Sequence, residues 1–371
     1  MDCPFRISVF DKTFAPKGWV GDPLALTARP QHNGLGTVEL TVASSHRRLP
    51  NLVAKGARLV VEYDGEHLLS GPVRLKSGQG PLIDGTVTVV VQDDWRVLAN
   101  VLGWPVPSAA LTAQNVAYDT RTAPAETVVK QVLSANAVTR LGLPITVAPD
   151  LGRGAAVSVS FRMHPLADRL LPAVDQAGIG ITVRQQDAGL LVDVYEPADA
   201  VRLLSEASGV VQNWKWSAAG PTATRVVAGD QGEAASRSFT QTIDAAREDD
   251  WGDVIEVFQD ARDTSDPAMV TARRLERLAD GAPKNGLTVT LAETGTFRYG
   301  RAVRIGDQVA LEVGPGVLVQ DVLREAVLSW TRDDGLVVTP VVGDRSDDPD
   351  SVLARAVARI ARGLRRQDAE R

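Results

Sequence analysis

The 371-residue sequence contains one cysteine, Cys3, so no disulfide can form within the chain. It has no run approaching the ~20 consecutive apolar residues that a bilayer-spanning helix requires, which argues against an integral helical membrane protein. No basic-then-apolar leader opens it, and with a lone thiol the expectation is folding in a reducing cytoplasm. Aromatic residues make up only 5% of the total, so any core has to be filled by Val, Leu, Ala and Ile. The many valines favour strands, because a branched Cβ suits a pleated surface. Positive charge is in deficit: 40 Lys and Arg against 46 Asp and Glu leave a formal charge of -6. Duplex binding needs a concentrated Lys/Arg surface to release counterions, so nucleic acid is not expected as a specific partner.

Catalytic signatures are missing as well. His32, His46, His67 and His164 are scattered, and none belongs to a set with metal-ligand spacing. Nothing in the sequence supplies a base for Cys3. Asp93-Asp94 and Asp249-Asp250 are where the two carboxylates of a glycosidase would have to come from. Adjacent acids at a helix start, stabilised by its dipole, are the simpler reading of the first pair, and a solvated turn that of the second. Gly34-Leu35-Gly36, Gly152-Arg153-Gly154, Gly178-Ile179-Gly180 and Gly314-Pro315-Gly316 each resemble half a nucleotide loop. None has the strand-to-helix spacing that seats a phosphate on a helix N-terminus, so they read as turns. Asp344, Asp347, Asp348 and Asp350 lack the Gly and terminal Glu of a calcium loop and read as a linker and helix cap. No catalytic, cofactor-binding or metal-binding residue is therefore nominated, no cofactor is expected, and the chain reads as a non-enzyme.

What is present is strand grammar. With 44% apolar and 23% charged residues over this length, ordinary globular composition implies two to four folding units. Short Val/Leu-rich strands are predicted at 5–10, 24–28, 37–42, 57–63, 67–75 and 86–91, with Asp64-Gly65 as a tight hairpin and a Gly-rich turn at 78–81. Antiparallel neighbours at this spacing lead to the expectation of a small closed barrel. A helix opening at Asp93-Asp94, with Trp95, Leu98, Val101 and Leu102 at helical spacing, is expected to plug it. Trp104-Pro105-Val106-Pro107 ends that helix and marks a boundary near 115.

Beyond it come a helix led by Pro124, a strand at 145–147, a second helix opened by Pro165 and kinked at Pro172, and a hairpin turning at 187–189. Strands return at 224–228, 238–243 and 254–259, followed by a helix over 266–279 ending at Gly281. Further strands at 287–291, 308–313, 317–330 and 336–342, with Asp333-Asp334-Gly335 as a turn, suggest a second barrel with an inserted helix. After the acidic break, Val352, Leu353, Ala356, Val357, Ile360 and Leu364 line one face of a helix carrying Arg355, Arg359, Arg362, Arg365 and Arg366. Without aromatic anchors, docking on a protein partner is preferred over a solvated tail or a membrane surface. The expected fold is α+β, mainly β. It comprises an antiparallel β-barrel domain at 1–115, an α+β domain at 116–203, a second β-barrel domain at 204–343, and an acidic linker with a C-terminal amphipathic helix at 344–371.

Several landmarks occur in a familiar order: Phe10-Asp11-Lys12, Gly18-Trp19-Val20-Gly21-Asp22-Pro23, Val61-Glu62-Tyr63-Asp64-Gly65, Asp93-Asp94-Trp95-Arg96, Trp104-Pro105-Val106-Pro107 and Tyr118-Asp119-Thr120-Arg121. Near the far end stand Tyr299-Gly300, Ile305-Gly306-Asp307-Gln308-Val309 and Val338-Thr339-Pro340-Val341-Val342-Gly343. In this order they resemble minor tail proteins of siphophages that infect actinobacteria, the hub family related to the baseplate hub of contractile tails. The resemblance implies a homotrimer in which two barrel domains per subunit alternate around a pseudo-sixfold ring at the virion tail tip. The partners it implies are a distal tail protein above and a spike or receptor-binding protein below, with DNA passing through an acidic bore. It implies assembly in the host cytoplasm and transfers no catalytic residues. Larger relatives append a lytic, peptidase or sugar-binding domain, whereas only the basic helix follows Gly343 here. One rival reading is a glycan-binding or glycan-cleaving tail protein using Trp214 and Trp216, which alternate on one face of a predicted strand. Another is the hub of a phage-derived injection or gene-transfer particle.

Overall fold

Alternation of apolar and polar side chains turns the N-terminal sequence into strands. In β1 (Phe5–Phe10), Phe5, Ile7 and Val9 are buried while Arg6 is exposed, the two-residue period of a sheet with one face in a core. The computed structural model describes residues 2–198, 202–206, 209–232, 236–262, 264–291 and 298–342. The strands that follow are β2 (Pro16–Val20), β3 (Ala25–Arg29), β4 (Thr37–Ala43), β5 (Arg58–Tyr63), β6 (Glu66–Gln79) and β7 (Thr86–Gln92). Asp64 and Gly65 both adopt positive φ, 51° and 80°, so β5 and β6 are joined by the two-residue turn whose twist matches that of the strands.

β6 serves two partners. Its first half pairs with β5 up to Pro72, and its second half, from Val73, pairs with β7. Gly71 sits at the changeover, where a Cβ would lie 1.8 Å from the carbonyl oxygen of Gln92. Only glycine permits that approach. Across the sheet the order is β2-β1-β5-β6-β7-β4-β3, then Val317–Thr331 and Gly335–Val342. The last join is long-range: Leu328 faces Ala28 and Thr331 faces Ala25 in antiparallel register.

The N-terminal strands therefore do not close on themselves as a small barrel. The edge offered by β3 is taken by a strand almost 300 residues away, and no pairing among the described residues closes the set. The helix expected as a plug is also reassigned. It spans Arg96–Asn100, and Trp95, Val97, Leu98 and Val101 pack into the core of the α+β segment. Leu102 leaves that helix and pairs, with Gly103, against His164–Pro165.

The α+β segment has the elements its sequence predicts. Helix Ala125–Leu133 buries Val128, Val129, Val132 and Leu133, and helix Leu166–Gln176 buries Leu166, Leu170 and Val174 with Pro172 inside it. Hairpin Gly180–Gln186/Gly189–Tyr195 turns inward Ile181, Val183, Val192 and Val194, and Ile145–Val147 adds a parallel strand. Each such side chain contributes about 1.5–3 kcal/mol of burial.

The chain divides into two compact units, residues 1–214 with 289–342, and 215–288. The expected cuts at 115 and 203 do not coincide with these boundaries. The strands at 308–342 belong to the first unit's sheet, whereas those between 225 and 260 form a separate three-stranded sheet. There Arg225–Gly229 lies centrally, antiparallel to Phe239–Ile243 and parallel to Glu256–Asp260. Helix Pro267–Asp280 covers one face, with Val270 against Ala228 and Ala261. Helix Ala245–Trp251 is capped by Asp244, whose carboxylate accepts from the Arg247 N–H, and ends at Gly252 in the left-handed region. Among the described residues no single second barrel spans 204–343, because non-local pairing distributes its predicted strands between two sheets.

Candidate functional site

Among the described residues, one face of the second unit's sheet is left uncovered. Val226 and Ala228 point toward helix Pro267–Asp280, so register places Phe239, Gln241 and Ile243 with Phe258 and Asp260 on the opposite face. Phe239 is 58% exposed, Phe258 53% and Ile243 41%. The Phe rings lie 6.4 Å apart, and the Arg237 guanidinium sits 5.7 Å from one and 5.3 Å from the other. Arg237 is held there by the Gly229 carbonyl, at 2.9 Å, and by the Asp260 carboxylate. A cation between two exposed aromatic rings, rimmed by polar groups, is the composition of a protein contact surface. The sequence places both Phe residues on strands; which face the helix would cover was not readable from it.

The carboxylate candidates are structural. Asp94 is buried and accepts from Arg58 Nη2 at 2.5 Å and Ser70 Oγ at 2.9 Å. Burial pushes its carboxyl up against the pull of Arg58. The Arg58 guanidinium also lies 4.5 Å over the Phe14 ring and donates to Gln185 at 2.9 Å. Asp93 accepts from the Trp95 N–H, and burial, with the Asp94 charge adding, pushes it up to about 8. The pair, expected as acids stabilised by a helix dipole, thus anchors the junction of β6, β7 and the α+β segment. Asp249 and Asp250 lie exposed in the last turn of helix Ala245–Trp251, not in a turn, while Glu248 binds Arg225.

A second polar cluster is enclosed in the α+β segment. Glu126 accepts from Arg153 through backbone N–H, Nε and Nη2 at 2.8, 3.0 and 2.9 Å, and from Lys130 Nζ at 2.6 Å. Lys130 also donates to Pro149 O and Asp193 Oδ1. Arg153 holds Glu126 well below the usual carboxylate range. Three donors on Lys130 meet three acceptors, so the buried amine is fully paired within the segment.

The histidines are separate. His32 Nδ1 lies 2.6 Å from Tyr195 Oη, and burial lowers its pKa to about 4. Beside it, buried Asn33 donates to Asp175 and to Ile179 O and accepts from the Ile181 N–H. Burial and the Arg184 charge lower His67 to about 4 as well. His46 meets Asp22 at 3.0 Å, and His164 accepts from the Arg162 N–H. Among the described residues no cluster of His, Cys, Asp and Glu has the makings of a metal site. Burial raises the Cys3 thiol, which donates to Phe5 O, so thiolate reactivity is suppressed. Gly152, Gly154, Gly178 and Gly316 take positive φ outside the strands, whereas Gly180 and Gly314 are end residues of strands. Trp214 is half-buried with Nε1 donating to Glu206 at 2.6 Å, and Trp216 is 40% exposed on the same strand. The acidic stretch at Asp344–Asp350 and the basic helix beyond it lie outside the described residues. Among those described, no helix is long and apolar enough to cross a membrane.

No curated protein matches the sequence significantly. Several solved structures share the fold, three of them tail proteins covered along nearly their whole length. A 43 kDa tail protein of prophage MuSo2 from Shewanella oneidensis aligns with TM-score 0.57 at 13% identity over 93% of this chain and 99% of its own. A tail protein from Neisseria meningitidis MC58 gives 0.56 at 14%, over 94% and 99%. Prophage tail protein gp18 from Listeria monocytogenes EGD-e gives 0.57 at 13%, over 95% and 98%. At these identities the likeness is one of fold: mainly β with few helices, along nearly the whole chain. The profile of the family described as Siphovirus ReqiPepy6 Gp37-like protein matches residues 6–344. With that match covering most of its length, the chain belongs to the Siphovirus ReqiPepy6 Gp37-like protein family.

Proposed function

We propose that the chain is a non-enzymatic structural subunit of a phage tail tip, a hub that works as a homotrimeric ring. The ring joins the distal tail protein to a spike or receptor-binding protein, and its acidic bore passes DNA without holding it. In this reading the strand-rich segments 1–115 and 204–343 supply alternating wall elements, the part barrels play in the hub family. Segment 116–203 braces them, and 344–371 docks on a neighbouring tail protein. Assembly takes place in the host cytoplasm and the mature location is the virion. The observation that carries the reading is the open sheet face bearing Phe239, Ile243 and Phe258, on a chain of tail-protein fold. Exposed aromatic rings on a rigid sheet contribute most once a partner removes them from water.

Light scattering and negative-stain imaging of the purified chain test this. A threefold ring of three chain masses is expected, and the Phe239→Ser, Phe258→Ser double variant should run as a folded monomer. Wild-type protein that stays monomeric alone and in the presence of a distal tail protein would refute the hub.

A further inference from the structure

The landmark Gly18-Trp19-Val20-Gly21-Asp22-Pro23 has a spatial counterpart that the tail reading leaves unused. With the residues after β4 it borders an open surface cavity of about 380 Å³, lined by Trp19, Asp22, Ser45, His46, Arg47 and Arg48. Trp19 is 60% exposed. The two glycines explain how the wall is built. A Cβ on Gly21 would lie 2.5 Å from Cζ3 of Trp19, and one on Gly18 would lie 2.5 Å from Cζ of Arg48. Without side chains there, the indole ring and the guanidinium lie flat against the backbone. Gly21 makes room for the Trp19 ring and Gly18 for the Arg48 guanidinium. Glycine in a strand weakens it, so an exposed ring and a guanidinium seated this way are an arrangement the fold alone does not require.

The polar groups converge. His46 Nε2 meets Asp22 Oδ1 at 3.0 Å, and His46 Nδ1 accepts from the Arg48 N–H at 3.1 Å, which fixes Asp22 beside the ring. The Asp22 side chain remains 73% exposed, leaving acceptor capacity toward solvent. Arg48 Nε is shielded from water and has no hydrogen-bond partner among the described residues, and Arg47 is exposed.

We propose that this cavity binds an anionic saccharide unit. The apolar face of the sugar packs on Trp19, its hydroxyls donate to Asp22 and Ser45, and its carboxylate or phosphate sits on the Arg47 and Arg48 guanidiniums. The volume lies at the small end of the ~300–1,000 Å³ range of ligand clefts, suited to one or two sugar rings. The Asp22 carboxylate in the wall opposes a second and third negative charge, which disfavours nucleotide polyphosphates. The proposal is independent of the hub reading, since a monomer has the same cavity.

Saturation-transfer NMR on the full chain tests it, with glucuronic acid, glucose 1-phosphate and glucose as observed probes and inorganic phosphate as a competitor whose binding is read from the signal it displaces. Both anionic sugars should receive saturation and bind at least about tenfold more tightly than glucose or phosphate alone, a difference of about 1.4 kcal/mol. Trp19→Ala should abolish the transfer and Trp19→Tyr restore it. Arg47→Ala should bring the anionic sugars toward the level of glucose. Absence of transfer to every sugar would overturn the proposal. So would equal binding of glucose and glucuronic acid, or phosphate binding that Trp19→Ala leaves unchanged.

Discussion

Asn33 is where removing one side chain should be most informative. It sits in the loop between β3 and β4 with φ 47°, and it is 7% exposed. Its amide oxygen accepts from the Ile181 N–H at 2.9 Å, and its two amide hydrogens serve Asp175 Oδ1 at 2.7 Å and Ile179 O at 2.9 Å. One amide thus ties the sheet to the first residues of the hairpin in the α+β segment. Asn33→Ala strands a buried N–H and a buried carbonyl, at about 1–3 kcal/mol each. It also places an alanine in the left-handed region, at about 1 kcal/mol. The expected loss is about 3–7 kcal/mol. Asn33→Gly removes the same hydrogen bonds but tolerates the backbone, so it should cost about 1 kcal/mol less than alanine. Urea unfolding of the full chain, followed by far-ultraviolet circular dichroism, measures both variants from shifts in the transition that contains the larger unit. An alanine variant within about 0.5 kcal/mol of wild type, or a glycine variant no better than alanine, would refute the assigned role.

Gly71→Ala forces a methyl into the Gln92 carbonyl and should part β6 from β7, lowering stability by about 3 kcal/mol; unchanged thermal unfolding would contradict the close approach. Stability should peak on the acid side of neutrality. His32 and His67, lowered from 6.5 to about 4, contribute stability that is full above pH 6.5 and lost as pH falls toward 4. Asp93, raised from 3.8 to about 8, acts oppositely: its contribution is full below pH 3.8 and lost as pH rises through 8. Asp93→Asn keeps the acceptor for the Trp95 N–H and should remove that alkaline decline, up to about 1.4 kcal/mol per pH unit between 4 and 8. Parallel stability–pH curves for the variant and wild type would show that Asp93 is not the group responsible.

Local chemistry was legible in the sequence and long-range pairing was not. Asp64-Gly65 forms a hairpin because both residues tolerate positive φ, a preference carried by two adjacent letters. The helices at 125–133 and 166–176 follow from apolar spacing and from Pro just before the first turn. By contrast, Val317–Thr331 reads as a strand without stating that β3 is its neighbour, since register depends on which edge lies open in space. Asp94 reads as a helix cap because its partners Arg58 and Ser70 are 36 and 24 residues away. The open face of the second unit escaped notice for the same reason: Phe239 and Phe258 look like core residues until the side taken by helix Pro267–Asp280 is known. The Trp19 cavity was visible only as a pair of glycines around an aromatic residue.

The pairing of β3 with Val317–Thr331 bears on synthesis at the ribosome. The first strands emerge with an unsatisfied row of backbone amides and carbonyls, and that row waits until some 330 residues have been translated. Residues 215–288 make their own sheet and helix during the delay. A nascent chain stalled before residue 317 should therefore expose a sticky margin, drawing in chaperones or another copy of itself, and should become refractory to them once the closing strand is released.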